Sequence, residues 1–134
     1  MKRWMMYVLG IAVICIAGYM VWNNEEGKKR EARVVAEYQA IKHPEGAKLV
    51  HYELNRKIIM RWIHSRYVYP ISNDEVKQYY DQEFKGKGWQ QTSRNLTPSD
   101  VAAYRYIKGN LELVLALKKD NSWTLFIGYM EVEY

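Results

Sequence analysis

The run Trp4 to Trp22 (WMMYVLGIAVICIAGYMVW) holds no charged residue, while the rest of the chain carries all 35. At about 1.5 Å of rise per residue its 19 residues reach roughly 28 Å as a helix, close to the ~30 Å hydrocarbon core of a bilayer. Trp4 and Tyr7 near one end, and Tyr19 and Trp22 near the other, stand where amphipathic rings favour the headgroup level. The segment therefore predicts a single membrane-spanning helix, and everything after it must fold as a separate polar body.

A cleaved signal peptide competes with this reading, because Met1-Lys2-Arg3 makes a positive head before an apolar core. Cleavage requires small residues at the site. Cys15-Ile16-Ala17 offers a cysteine where alanine is usual, and the apolar run continues to Trp22. Cys15 follows Ile14, which departs from the small residue that a lipoprotein signal places before its cysteine. An uncleaved anchor is the expectation, with Cys15 an inert apolar side chain. A single cysteine also excludes an internal disulfide framework and zinc sites built on cysteine pairs.

The flanking charges conflict over orientation. Lys28, Lys29, Arg30 and Arg33 after the span outnumber Lys2 and Arg3 before it, which argues for a cytoplasmic domain. The short basic head followed by an apolar run has the form of an export signal, and on that ground the domain is expected outside the cytoplasm.

Residues 1–22 are thus read as basic head and span, 23–43 as an amphipathic connector helix, and 44–134 as one small domain. In the connector, Val34, Tyr38 and Ile41 recur at i, i+4 and i+7, which is one helical face. A solvated connector is expected. An anionic-lipid patch is the sharper alternative, diluted by Glu25, Glu26 and Glu31. Pro44 and Gly46 stop the helix.

Ala47 to Glu53 and Lys57 to Tyr69 are rich in β-branched and aromatic residues and read as two strands turning at Leu54-Asn55-Arg56. Ser72 followed by Glu75 forms a capping box, with Ile71 and Val76 at the staple positions, so a helix starts at Asn73. Val76, Tyr79, Tyr80 and Phe84 line its apolar face, and Gly86 and Gly88 end it near Lys85. Trp89 to Ser93 suggests a short strand. Val101 to Lys108 leads through Gly109-Asn110, suited to a II′ turn, into Leu111, Leu113, Leu115 and Leu117 alternating with more polar residues. After the turn Lys119 to Ser122, the residues Trp123, Leu125, Ile127 and Tyr129 line a last strand. The fold class is α+β: an N-terminal transmembrane helix, then an antiparallel sheet of about five strands with one packed helix.

The chemistry-bearing residues form no recognisable catalytic set. With the turn at Asn55-Arg56, His51 falls opposite Met60 and His64 lies beyond its partner strand, so the two are not expected to share a metal, and His43 stands apart. Ser65, Ser72, Ser93, Ser99 and Ser122 include no nucleophile elbow. Glu112, Glu131 and Glu133 read as the wet faces of strands, and Gly86-Lys87-Gly88 follows a helix instead of opening one. No enzyme activity, no cofactor and no metal are expected, and no binding residue is singled out.

Arg61-Trp62, Arg66-Tyr67-Val68-Tyr69 and Tyr104-Arg105-Tyr106 interleave basic and aromatic residues, as base-stacking sheets do. Beyond the basic head, 18 basic residues face 15 acidic ones, too small an excess to draw nucleic acid. No nucleic-acid partner is expected; a protein-facing aromatic patch is.

The order PEGAKLV (Pro44 to Val50), a strand pair, SNDEVKQYY with Gly88-Trp89 beyond it, and a terminal meander resembles small uncharacterised bacterial domains that are secreted or membrane-tethered. The resemblance covers Pro44 to Tyr134 and implies the fold alone, since no activity is assigned to such domains. The function expected is a single-pass anchored, non-enzymatic interaction module with an unknown protein partner. The alternative is an extracytoplasmic domain that binds a small ligand or lipid between the Val76-Tyr79-Tyr80-Phe84 face and the leucine strand.

Overall fold

The computed structural model describes residues 2–57, 60–95 and 100–130. Helix α1 (Lys2–Ala40) is followed by strands β1 (Lys48–Lys57) and β2 (Met60–Val68), helix α2 (Asn73–Gly86), and strands β3 (Gln90–Asn95), β4 (Asp100–Lys108), β5 (Leu111–Lys118) and β6 (Ser122–Tyr129). All neighbouring strands pair antiparallel in one sheet of order β1-β2-β6-β5-β4-β3. The class is the expected α+β, with six strands instead of about five. β4 begins one residue earlier than expected, and β3 runs to Asn95, two residues past the expected end.

The apolar run and the connector form one unbroken helix. From Trp4 to Met20 its large side chains are 49% to 76% exposed, so nothing in the domain covers them. The connector half is different, and here the expectation of a solvated helix is corrected. Val34 is fully buried, Ile41 nearly so, and Val35 and Tyr38 pack against the same core. The face formed by Val34, Val35 and Tyr38, continued by Ile41 just past the helix end, buries enough apolar surface to hold the helix to the sheet.

Sheet alternation places Ile63 and Tyr67 of β2, Leu111, Leu113, Leu115 and Leu117 of β5, and Trp123, Leu125 and Ile127 of β6 on the covered face. Val76, Tyr80 and Phe84 of α2 meet them, with Phe84 edge-on to Tyr106 at 4.9 Å and Tyr80 edge-on to Trp123 at 6.1 Å between ring centroids. Both helices therefore lie on one side of the sheet, and no helix among the described residues covers the other. α2 starts where its cap dictates: the Ser72 hydroxyl accepts the Glu75 N–H at 3.2 Å. Gly109 supplies φ +61° at the first turn position while Asn110 stays negative, the II′ pattern that joins β4 to β5.

The first hairpin turn needs correction. Lys57 pairs with Met60, Arg56 with Arg61, Leu54 with Ile63 and Glu53 with His64, so the connection is 58–59, three residues past the expected 55–56 and outside the described residues. The expected and observed registers share parity, so the same side chains face inward in either. The observed one adds ladder to both strands, sets Leu54 against Ile63, and brings Arg56 and Arg61 side by side beneath α1.

Candidate functional site

The most chemically distinctive place in the molecule is the junction of α1 with the β1–β2 hairpin. Glu31, on α1, accepts from Arg56 Nε at 2.8 Å and Nη2 at 2.7 Å, and from Arg61 Nε at 3.2 Å. The two-pronged Arg56 contact is the stronger geometry for a guanidinium on a carboxylate. The Arg56 hydrogen bond is the largest influence holding the Glu31 carboxyl below its ordinary range, with Arg61 adding to it against the effect of burial. Arg61 is buried and also donates to the Met60 carbonyl at 2.8 Å. Its guanidinium packs against Gly27, where a Cβ would come within 2.9 Å of Cζ. Glycine costs helix stability there but permits the close approach of a charged group to the helix backbone. Beside this clamp opens a cleft of about 500 Å³ lined by Lys28, Glu31, Ala32, Val35, Arg56 and Arg61.

A second cluster ties α1, β2, α2 and β6 together from within. The Tyr38 and Tyr67 hydroxyls hydrogen-bond each other, and Tyr67 Oη meets His43 Nε2 at 3.0 Å. His43 Nδ1 meets Tyr80 Oη at 2.7 Å, and Trp123 Nε1 donates to Tyr80 Oη at 3.0 Å. Burial lowers the His43 pKa, with Glu83 pulling the other way, and burial raises those of Tyr67 and Tyr80. These groups hydrogen-bond one another. A third cluster holds α2 to β4: Asp81 accepts from Lys77 at 2.7 Å and Tyr106 at 2.8 Å. Burial works to raise the Asp81 pKa, and the bonds from Lys77, Tyr106 and Lys85 outweigh it, so the carboxyl stays below its usual range.

The structure redistributes the residues that the sequence singled out. In the observed register His51 and His64 do approach, with ring centroids 6.2 Å apart on the open face, and His51 Nε2 lies 3.1 Å from Glu53 Oε1. The expectation that His64 lies beyond its partner strand is corrected, since it pairs with Glu53, and the cause is the displaced turn. Among the described residues no group of three or more His, Cys, Asp or Glu is arranged to hold a metal ion. His43, set apart in the sequence, is instead a central hydrogen-bonding residue. Ser65 and Ser122 are buried in the sheet, and Ser72 is the helix cap. Glu112 pairs with Arg105 at 2.7 Å. Ser99, Glu131 and Glu133 lie outside the described residues, and the Ser93 side chain is not among those described.

The basic-aromatic pairs separate across the sheet. Tyr67, Tyr104 and Tyr106 face the helices, while Arg66 and Arg105 face away; Arg61 faces in and Trp62 out. The open face instead carries the cross-strand row Glu53, His64, Phe126, Val114 and Arg105, with Trp62 beside it. The space between α2 and the leucine strand, considered as a ligand cavity, is occupied by Val76, Tyr80 and Phe84 stacked on the core.

Fold and site together define a two-layer α+β domain carried on a long helix, one end of which is long and apolar enough to cross a membrane. Comparison with protein-family models, curated proteins and solved structures finds no match.

Proposed function

We propose that the protein is a single-pass, membrane-anchored interaction module without enzymatic activity, its domain outside the cytoplasm. The observation that carries this reading is α1: a helix whose first half exposes a continuous apolar surface and whose second half is built into the domain core. An exposed apolar surface of that length is costly in water and favourable in a bilayer. The rigid continuation fixes the domain at one height and orientation, which suits presentation of a surface to a neighbour. The surface it presents is the sheet face that carries neither helix, around the half-buried Trp62 and Phe126, where aromatic side chains supply anchors for a protein partner.

A photo-crosslinking amino acid in place of Thr92 on β3, used in intact membranes, tests the module. A discrete protein adduct that disappears in the Phe126→Ser variant supports it. Absence of any protein adduct, with a small molecule co-purifying instead, overturns it in favour of a ligand-binding domain. Orientation rests on the short basic head. A reporter active only outside the cytoplasm, fused after Tyr134, is expected to be active; an inactive full-length fusion places the domain inside.

A further inference from the structure

The hairpin points along α1 toward its apolar half. At one end of β2 the Arg61 guanidinium lies on Gly27 and bonds Glu31; at the other Tyr67 meets Tyr38 and His43. The six residue steps from Arg61 to Tyr67 along the strand span about 20 Å, and the eleven from Gly27 to Tyr38 along the helix about 17 Å. The strand and the helix therefore run side by side in the same direction, and the Lys57–Met60 end of the strand pair faces back down the helix.

The depth of this end follows from the same spacings. Gly27 stands about 7 Å beyond Trp22 along the axis, and Lys57 pairs with Met60 one ladder step, about 3 Å, closer to the span than Arg56 and Arg61. Lys57 thus sits within about 5 Å of the level at which the apolar run ends. Lys28 is about 9 Å past that level. The headgroup layer is roughly 5–8 Å deep on each side of the hydrocarbon, so Lys57 lies within it and the flexible Lys28 side chain reaches its outer edge.

Charge at this end matches that placement. Glu26 is paired with Arg30, and Glu31 with Arg56 and Arg61, while Glu25 is exposed and offsets one of the lysine charges. Lys28, Lys29 and Lys57 are exposed and make no ion pair among the described residues. A cleft lined by Lys28, Glu31, Arg56 and Arg61 lies at the same end, between α1 and the sheet, while Lys57 projects from the opposite sheet face. From this juxtaposition we infer that the hairpin end of the domain rests on the lipid surface and that Lys28 and Lys57 bind the phosphates of anionic lipid headgroups. The inference rests on the reading of α1 as a membrane span, and it adds a second attachment beside the span.

Full-length protein with Cys15→Ala, carrying an environment-sensitive fluorophore on Asn55→Cys or, as a control at the far end of the sheet, on Lys119→Cys, tests this in nanodiscs. The discs contain phosphatidylcholine with a headgroup-linked nitroxide quencher, with or without phosphatidylglycerol. The label at 55 is expected to be quenched in the anionic discs while the label at 119 is not. Lys28→Gln and Lys57→Gln are each expected to shift the docking equilibrium about fivefold toward the unquenched state, and omitting phosphatidylglycerol to shift it the same way. Protein that elutes with the discs but shows equal quenching at 55 and 119, or quenching indifferent to lipid charge and to both lysines, overturns the inference and leaves the anchor standing. Protein that does not elute with the discs overturns the anchor, and the inference with it.

Discussion

His43 depends on being neutral. Trp123 Nε1 can only donate, so the arrangement that satisfies every atom has Tyr80 accept from it and give its own hydrogen to His43 Nδ1, leaving Nε2–H for Tyr67. Protonation turns Nδ1 into a second donor aimed at a hydroxyl that already has one. Burial depresses the folded-state pKa below its ordinary 6.5, against the pull of Glu83, so the unfolded chain takes up the proton first. The contribution to stability is therefore complete above pH 6.5 and is lost as pH falls from there toward the folded-state value. A single group gives a slope of at most about 1.4 kcal/mol per pH unit. Denaturant unfolding of the full chain in nanodiscs between pH 7.5 and 5 is expected to show this decline in the native protein and a weaker one in His43→Gln. Equal slopes would remove His43 from the account. Asp81 and Glu31, with depressed carboxyl pKa values, act in a separate window below their ordinary values of 3.8 and 4.5.

Individual elements differ in how plainly their residues announce them. β5 and α2 were legible because their signals are local: the leucine alternation has period two, and the Ser72 cap acts within one turn. Ser72→Ala is expected to cost about 1 kcal/mol and Leu115→Ala about 2–5 kcal/mol, the latter by opening a cavity under α2. Glu112→Ala, on the opposite face with a half-exposed ion pair, is expected to cost under about 1 kcal/mol. Unfolding midpoints in that order support the packing, and a Leu115→Ala midpoint equal to that of Glu112→Ala would contradict it. The β1–β2 turn was not legible. Its connection, Ile58-Ile59, is β-branched and lacks glycine, so it reads as strand, and the Glu31 clamp that accompanies the observed register comes from a residue distant in sequence. The burial of Val34 and Ile41 was hidden for a related reason, since a helical stripe shows that a face exists but not what it meets.

On the scale of the whole molecule the clamp changes what the apolar segment means. The sequence divides the chain into span, connector and domain, whereas the structure joins the apolar segment to the domain through one helix held by its apolar face, by Glu31, and by contacts of Arg30 with the Tyr129 ring and Lys108 with Glu37. The junction site was illegible beforehand because Gly27, Glu31, Arg56 and Arg61 converge only after folding, and no spacing rule links them. Such a connection transmits orientation, and a flexible linker does not. Amide hydrogen exchange of the full chain in lipid nanodiscs distinguishes a rigid stem from a hinged one. Continuous protection is expected from Met5 through Ala40, the first part from the bilayer and the rest from the domain. Fast exchange between Trp22 and Glu31, with protection on either side, would replace the rigid stem with a hinge; absence of the segment before Trp22 from the mature chain, or its full exchange in lipid, would contradict the anchor itself.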